Sequence, residues 1–156
     1  MLPLEEFRKQ LKQLYKSLVF QENSNYITQF YDEDNLTIRL RTNPWIHKHT
    51  NADIVILRIE YDQIYNEPTL YIQLMNEQYL DDSPDILTNK ICLVPDMSVI
   101  LPEIQKDCFV IEPEQLNGSI WWCFHQCNTE DIIGNNPLYK DKYLERWKST
   151  FIDSWI

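Results

Sequence analysis

Residues 36–42, LTIRLRT, are apolar at the even positions and polar at the odd ones until Thr42. Because successive side chains of a strand point to opposite faces, this alternation predicts a β-strand with one buried and one solvated face. Neighbouring segments rich in β-branched and aromatic residues predict further strands: NYITQFY (25–31), DIVILRIEYD (53–62) and TLYIQLMN (69–76). Two turns connect them: DEDN (32–35) and YNEP (65–68). The middle of the chain is therefore predicted to be an antiparallel meander.

A helix is predicted at each end of this meander. From Leu4 to Phe20 the apolar residues recur at spacings of three and four, which marks one helical face, and Pro3 suits the first turn. A second run at this spacing, from Tyr139 to Trp155, is rich in aromatic residues and predicts a helix that packs on the sheet. The stretch QYLDDSPDILTNK (78–90) is predicted to be a mobile loop. This order of elements predicts a single α+β domain over residues 1–156.

The composition excludes several classes of function. The chain has two glycines, whereas a P-loop or a dinucleotide-binding fingerprint needs several within a few residues. The net charge of −10 repels phosphate backbones, so we expect no nucleic-acid partner. No apolar run approaches the roughly 18 residues of a membrane span, and a signal-peptide core is missing from the N-terminus. We therefore expect a cytoplasmic protein that has no integral membrane segment and whose cysteines are free thiols.

The segment SIWWCFHQCNTED (119–131) concentrates residues that could belong to a core, a metal site or a nucleophile. Cysteine is often buried, and three of the four cysteines have apolar or aromatic neighbours that predict a place in the core: Cys92, Cys108 and Cys123. A zinc site is an alternative, because Cys123, His125 and Cys127 would share one face of an extended segment. His47 and His49 could complete such a site or pair with a cysteine as in a protease, although no local signature supports either.

Cys127 is the candidate nucleophile. After Phe124 the sequence changes from apolar residues to the polar run HQCNTED and then to IIGNNP, which is typical of a loop. Cys127 is therefore predicted to stand where a buried strand meets an exposed loop. A thiol in that place is held by a rigid scaffold and can still be reached by a substrate.

Four segments resemble one family of enzymes. The segment SIWWCFHQCNT, followed after a loop by YLERWKSTFIDSWI (143–156), resembles the catalytic segment and the last helix of the E2-like conjugating enzymes of autophagy. With YNEP and the opening PLEEFRKQLKQLYKS (3–17), the chain is most similar to the autophagy-related protein 10 family, over nearly its whole length. The family's His-Pro-Cys is His125-Gln126-Cys127 here, so the fixed φ of the proline is lost. The lipid-modifying autophagy family is similar in the catalytic segment, but its members are much longer.

The resemblance implies a compact E2-like fold with an N-terminal helix, an antiparallel sheet, a catalytic loop and a C-terminal helix. It implies that Cys127 accepts the ubiquitin-like autophagy-related protein 12 as a thioester from the E1-like autophagy-related protein 7. The modifier would then pass to a lysine of autophagy-related protein 5, in support of autophagosome formation and without a cofactor or a metal. Recruitment to the pre-autophagosomal membrane would occur through these partners.

Four further residues are candidates for support of the transfer. Tyr65 could desolvate the attacking lysine, and Asn66, His125, Asn128 or loop N–H groups could donate to the developing oxyanion. Tyr65 and Asn66 could equally be turn residues, and His125 could hold the loop. An exposed strand edge near YNEP, at residues 69–75, could bind a partner by β-addition. Two other functions remain open: a non-catalytic E2-like interaction module and a zinc-stabilised scaffold.

Overall fold

The structure, a computed structural model, describes residues 1–19, 26–92, 100, 109–113, 120–124, 129–134 and 137–155. Within these ranges the helices are α1 (Leu4–Val19), α2 (Pro44–Thr50), α3 (Thr129–Ile133) and α4 (Tyr143–Phe151), with a 3₁₀ helix at Pro137–Lys142. The strands are β1 (Tyr26–Asp32), β2 (Asn35–Arg41), β3 (Ile54–Asp62), β4 (Glu67–Leu80), β5 (Ser83–Ile91), β6 (Phe109–Pro113) and β7 (Ile120–Phe124). The predicted α+β class is confirmed.

All seven strands join one antiparallel sheet. The strand order is β1-β2-β3-β4-β7-β6, and β5 pairs with the later part of β4. The alternation predicted for β2 is confirmed, because its even-numbered side chains are fully buried and its odd-numbered ones are not. Each of these buried side chains begins a row that continues on β3 and β4: Leu36-Ile59-Leu70, Ile38-Leu57-Ile72 and Leu40-Val55-Leu74. These rows form one wall of the core.

The first and last helices cover this wall. α1 has acidic residues in its first turn and Lys16 in its last, which complement the partial charges of the helix ends. Its apolar face is buried: Phe7, Leu11, Leu14 and Leu18. The C-terminal aromatic run is divided into the 3₁₀ helix, α4 and a turn, but its role in the core is confirmed by the burial of Trp147, Phe151 and Trp155. Among the helices in the described ranges, none combines the length and apolar character that crossing a bilayer requires.

Two predictions about the sheet are wrong. The predicted loop at 78–90 is the end of β4, a two-residue turn at 81–82 and most of β5, because Met75 to Leu80 pair with β5. The strands beside YNEP do not form a free edge either. β4 pairs with β3 on one side, and on the other side Tyr71 and Ile72 pair with β7 and Met75 pairs with β5, so β4 is an interior strand of the sheet here. The sequence analysis also missed α2, a seven-residue helix capped by the side chain of Asn43.

Candidate active site at the start of β4

The cysteine segment leaves the sheet beside the start of β4. β7 runs antiparallel to β4, with Tyr71 opposite Cys123. The next pair in this register is Phe124, the last residue of β7, with Leu70, so β7 runs toward the end of the sheet at which β4 begins and the turn at 63–66 lies. The chain is described again from Thr129, where α3 begins. Both ends of the segment that contains the candidate nucleophile are thus defined.

The five predicted site residues fall into two groups. His125, Cys127 and Asn128 lie in the segment 125–128, outside the described residues. Tyr65 and Asn66 are described, and both belong to the turn between β3 and β4. The turn lies at the end of the sheet toward which β7 runs, and the expected proximity of the turn and the cysteine segment stays a prediction.

The turn is held by hydrogen bonds at both ends. Asp62 Oδ1 accepts from the backbone N–H groups of Ile64, at 2.8 Å, and Tyr65, at 3.0 Å. Asn66 has a φ of 53°, in the left-handed region that asparagine tolerates better than most residues. Its backbone oxygen accepts from Leu2 N at 2.8 Å, and its side-chain oxygen accepts from the Tyr61 hydroxyl at 3.1 Å. Asn66 therefore has a clear structural role as a turn residue, whereas the Tyr65 side chain is 46% exposed.

A buried carboxylate follows the turn directly. Glu67 is 5% exposed, and its Oε2 accepts a short hydrogen bond from the hydroxyl of Tyr143 in α4. Its Oε1 is 2.7 Å from the amine of Met1, which also lies 2.9 Å from Oε1 of Glu130 in α3. Burial and the hydrogen bond to Glu67 raise the pKa of Tyr143, so this phenol stays protonated as a donor.

The pKa of the Met1 amine is also raised by its surroundings. Partial burial alone would lower its pKa, but the hydrogen bonds to Glu67 and Glu130 outweigh that effect and the pKa is raised. The amine therefore keeps its positive charge between the two carboxylates. The start of β4 and the helix that follows the cysteine segment are linked through this charge.

The second contact of α4 reaches the end of α3. Nη1 of Arg146 donates to the backbone oxygen of Ile133 at 3.2 Å, and Nη2 lies 3.4 Å from the oxygen of Gly134. Gly134 has a φ of +80° and its N–H donates to Glu130 O at 2.8 Å, an arrangement that ends the helix. A cation at the carboxyl end of a helix is also favourable electrostatically.

The other described cysteines and histidines are bound into the fold. Cys123 is 4% exposed, which confirms its predicted place in the core. Cys92 packs partly against the core and its pKa is raised by burial and then by Asp53; Cys108 lies outside the described residues. Nδ1 of His47 is 3.0 Å from the oxygen of Ala52, and Nδ1 of His49 is 2.8 Å from that of Trp45. The described part of the chain contains no group of three or more metal-ligating side chains.

Comparison with known proteins decides the family. The model of the family described as "Autophagocytosis associated protein, active-site domain" matches residues 9–154. The chain belongs to this family. The ubiquitin-like-conjugating enzyme ATG10 of Saccharomyces cerevisiae is 29% identical over 170 aligned positions, which cover 100% of this chain and 97% of that protein. The family resemblance seen in the sequence is thereby confirmed, and the chain is an E2-like conjugating enzyme of autophagy.

Two solved structures have the same fold. The crystal structure of the autophagic E2 Atg10 matches with a TM-score of 0.73 and 30% identity, covering 99% of this chain and 96% of that one. The solution structures of KmAtg10 also give a TM-score of 0.73, at 21% identity, and support the fold alone. The predicted E2-like fold, with its antiparallel sheet and its two terminal helices, is confirmed.

The sequence analysis assigned no role to three residues of this site. Glu67 belongs to the YNEP motif, and Tyr143 and Arg146 belong to the YLERW motif. Both motifs could be recognised in the sequence by their resemblance to the family. What could not be read was the contact between the motifs, because Glu67 and Tyr143 are 76 positions apart. In the folded chain these two motifs meet.

Proposed function

We propose that this enzyme carries autophagy-related protein 12 as a thioester on Cys127. The thiolate would attack the thioester that links the modifier to the E1-like autophagy-related protein 7, and the thiol of that enzyme would be released. The amine of a lysine on autophagy-related protein 5 would then attack the new thioester and release Cys127 as a thiol. Splitting the transfer into these two steps is covalent catalysis, and a thioester gives up its acyl group readily to an amine.

The observation that carries this proposal is the position of β7. β7, which ends three residues before Cys127, runs toward the end of the sheet that bears the Tyr65 turn, and the helix that begins two residues after Cys127 is tied to the start of β4 through the amine of Met1. A chain spans at most about 3.6 Å per residue. These short tethers support a site in which the thioester and the turn act together.

The second step needs a neutral lysine. A free lysine has a pKa near ~10.4, and contact with apolar or aromatic groups lowers it by disfavouring the charged form. Tyr65 is described at the surface of the turn, where its ring can meet an incoming side chain. The oxyanion that forms as the amine adds would receive hydrogen bonds from loop N–H groups or from Asn128, with His125 in support. The turn contacts of Asn66 make it the weaker candidate.

The partners and the location are part of the same proposal. We expect the enzyme to act in the cytoplasm and to reach the pre-autophagosomal membrane through its partners. The net charge of −10 would steer basic surfaces of these partners toward it. Their association rates should therefore fall as salt is added.

A trapping assay tests the carrier. Purified activating enzyme, modifier and ATP are mixed with wild type, with Cys127→Ser, or with Cys123→Ala as a matched change of a core cysteine four positions away. We expect a reductant-sensitive adduct on wild type and on Cys123→Ala. Cys127→Ser should form a reductant-resistant oxyester or no adduct.

Two outcomes would contradict the proposal. If wild type forms no adduct, the chain does not carry the modifier and an interaction module becomes the better description. If Cys127→Ser still forms the thiol-labile adduct, another cysteine is the carrier. Metal analysis of the same preparation would detect a zinc-stabilised scaffold.

A further inference from the structure

Two side chains of α4 make polar contacts on two sides of the candidate active site. Tyr143 donates to Glu67, which directly follows the turn that bears Tyr65. Arg146 donates to the carbonyl end of α3, the helix that follows the cysteine segment. Residues three apart in a helix lie on neighbouring positions of one face. One face of α4 therefore reaches both the turn and α3.

The helix itself is fixed to the rest of the fold. Trp147 is fully buried, and the ring of Phe151 packs 4.3 Å from that of Phe124, the last residue of β7. The N-terminal end of α4 is also anchored, since Leu144 N donates to Oε1 of the buried Gln10 at 2.8 Å. A helix held in this way cannot shift at one end without disturbing the core. It is therefore a fixed element from which the turn and α3 can be positioned.

We propose that Tyr143 and Arg146 are positioning residues for the transfer step, because together they set the turn that bears Tyr65 relative to the segment that bears Cys127. We assign neither side chain a direct role in the chemistry. Tyr143 acts through Glu67 on the turn, and Arg146 acts through the end of α3 on the cysteine segment. This inference rests on the proposed role of Cys127 as the carrier.

The two steps of the reaction differ in how much they need this arrangement. Loading requires only that the thiol reach the thioester on the activating enzyme. Transfer to lysine requires the thioester carbonyl, the amine and the groups of the turn in one geometry. A misplacement of about 1 Å can reduce such a step by about a hundredfold. Loosening α4's contacts should therefore slow transfer far more than loading.

The test compares loading with single-turnover discharge onto purified autophagy-related protein 5. The variants are Tyr143→Phe, which removes only the hydroxyl, and Arg146→Ala, with Arg146→Lys as the conservative change that keeps a donor. We expect discharge to fall at least about tenfold in the first two, while loading stays within about threefold of wild type. Arg146→Lys should recover part of the discharge rate.

Arg8→Ala is the matched control, since Arg8 forms its ion pairs with Glu5 and Asp34 on the exposed side of α1. It should leave both steps unchanged. The denaturation midpoint of each variant gives its folded fraction, so that a loss from unfolding lowers loading and discharge together. The inference fails if the Tyr143 and Arg146 variants discharge at the wild-type rate, or if the two steps fall in equal proportion.

A readout that needs no activity separates this inference from the proposed function. Hydrogen exchange of the Gly134 amide, which donates to Glu130 O, reports the stability of the end of α3. We expect exchange at least about tenfold faster in Arg146→Ala and near wild type in Arg8→Ala. If the Gly134 amide exchanges at the wild-type rate in Arg146→Ala, the Arg146 contact does not stabilise α3 and the inference fails, whether or not any variant forms a thioester. If wild type forms no adduct but Arg146→Ala still exchanges faster, the proposed function is wrong. Arg146 would then be a structural anchor only, and its positioning role would be rejected as well.

Discussion

The hydroxyl of Tyr143 donates to the buried carboxylate of Glu67, 76 residues earlier in the chain. This contact joins the first turn of α4 to the first residue of β4. It provides a hydrogen-bond donor for one oxygen of the Glu67 carboxylate, a residue that is only 5% exposed. A buried charge without partners is costly, so the phenol is part of what makes Glu67 tolerable at this position. It also connects YNEP and YLERW, two of the motifs on which the resemblance to the family was based.

Removing this hydroxyl should destabilise the fold. Tyr143→Phe leaves Oε2 of Glu67 without its donor, and we expect the free energy of unfolding to fall by about 1–3 kcal/mol. Urea denaturation followed by tryptophan fluorescence measures it. Tyr15→Phe, a change in a ring that stacks on Tyr31 near the surface, should cost less than about 0.5 kcal/mol. Equal losses in the two variants would show that the Glu67 contact contributes nothing specific.

The turn role of Asn66 can be separated from a catalytic one. Asn66→Gly keeps the left-handed conformation and removes the side chain that accepts from Tyr61. We expect a loss of stability of about 1 kcal/mol and a transfer rate within about threefold of wild type. If the folded variant transfers about a hundredfold more slowly, Asn66 donates to the oxyanion and the structural role is not its main one.

The thiols should differ in reactivity in the native protein. Cys123 is buried and the pKa of Cys92 is raised, so both should have little accessible thiolate at pH 7. We expect iodoacetamide to modify Cys127 at least about tenfold faster than either, as measured by mass spectrometry of the peptides. Denatured protein, in which the sites should react at similar rates, is the control. Equal rates for Cys123 and Cys127 in native protein would contradict the assignment of Cys127 to an accessible site.

The ion pair between Arg8 and Asp34 predicts a dependence of stability on pH. The hydrogen bond from Arg8 lowers the pKa of Asp34 in the folded state. The pair therefore contributes its full stabilisation above the unfolded pKa of aspartate, near ~3.9, and loses it as the pH falls through the lower folded pKa. The effect should be small because both side chains are partly exposed.

Denaturation of wild type and Asp34→Asn at a series of pH values would measure this difference. Wild type should be the more stable protein at pH 6, and the two curves should converge below about pH 3. A difference that grows toward low pH would have the wrong sign for this pair. Convergence should also occur at pH 6 in high salt, because exposed charges are screened.

The strands and terminal helices could be predicted because their signal is local. The alternation of apolar and polar residues in 36–42 predicts which side chains of β2 are buried, and the spacing of apolar residues in 4–20 predicts which face of α1 is apolar. The short helix α2 has only seven residues, too few for a clear period, and its start depends on the cap of Asn43. It was missed for that reason.

The errors concern the partners of strands. Residues such as Asp81, Asp82 and Pro84 are typical of a loop, but the turn takes only 81–82, and Ser83 and the stretch 87–91 pair with β4 across a register shift. Which strands are central also depends on where β7 returns to the sheet, and Tyr71 and Cys123 are far apart in sequence. Of the site, the motifs and the candidate nucleophile were visible in the sequence. The contacts of Glu67 with Tyr143 and of Arg146 with α3 were not, since they exist only between distant segments.

The side chain of Gln10 has a consequence for when this protein can fold. Its amide donates to the backbone of Lys140 and accepts from that of Leu144, across 130 and 134 residues, so α1 is bound to α4. Until about residue 150 has left the exit tunnel, the apolar face of α1 has no α4 beside it. Long-range closure of this kind is slow and leaves apolar surface exposed to other chains in the meantime. The fold of this domain should therefore be completed only once α4 has been synthesised, and until then the exposed face of α1 is a surface that chaperones can bind.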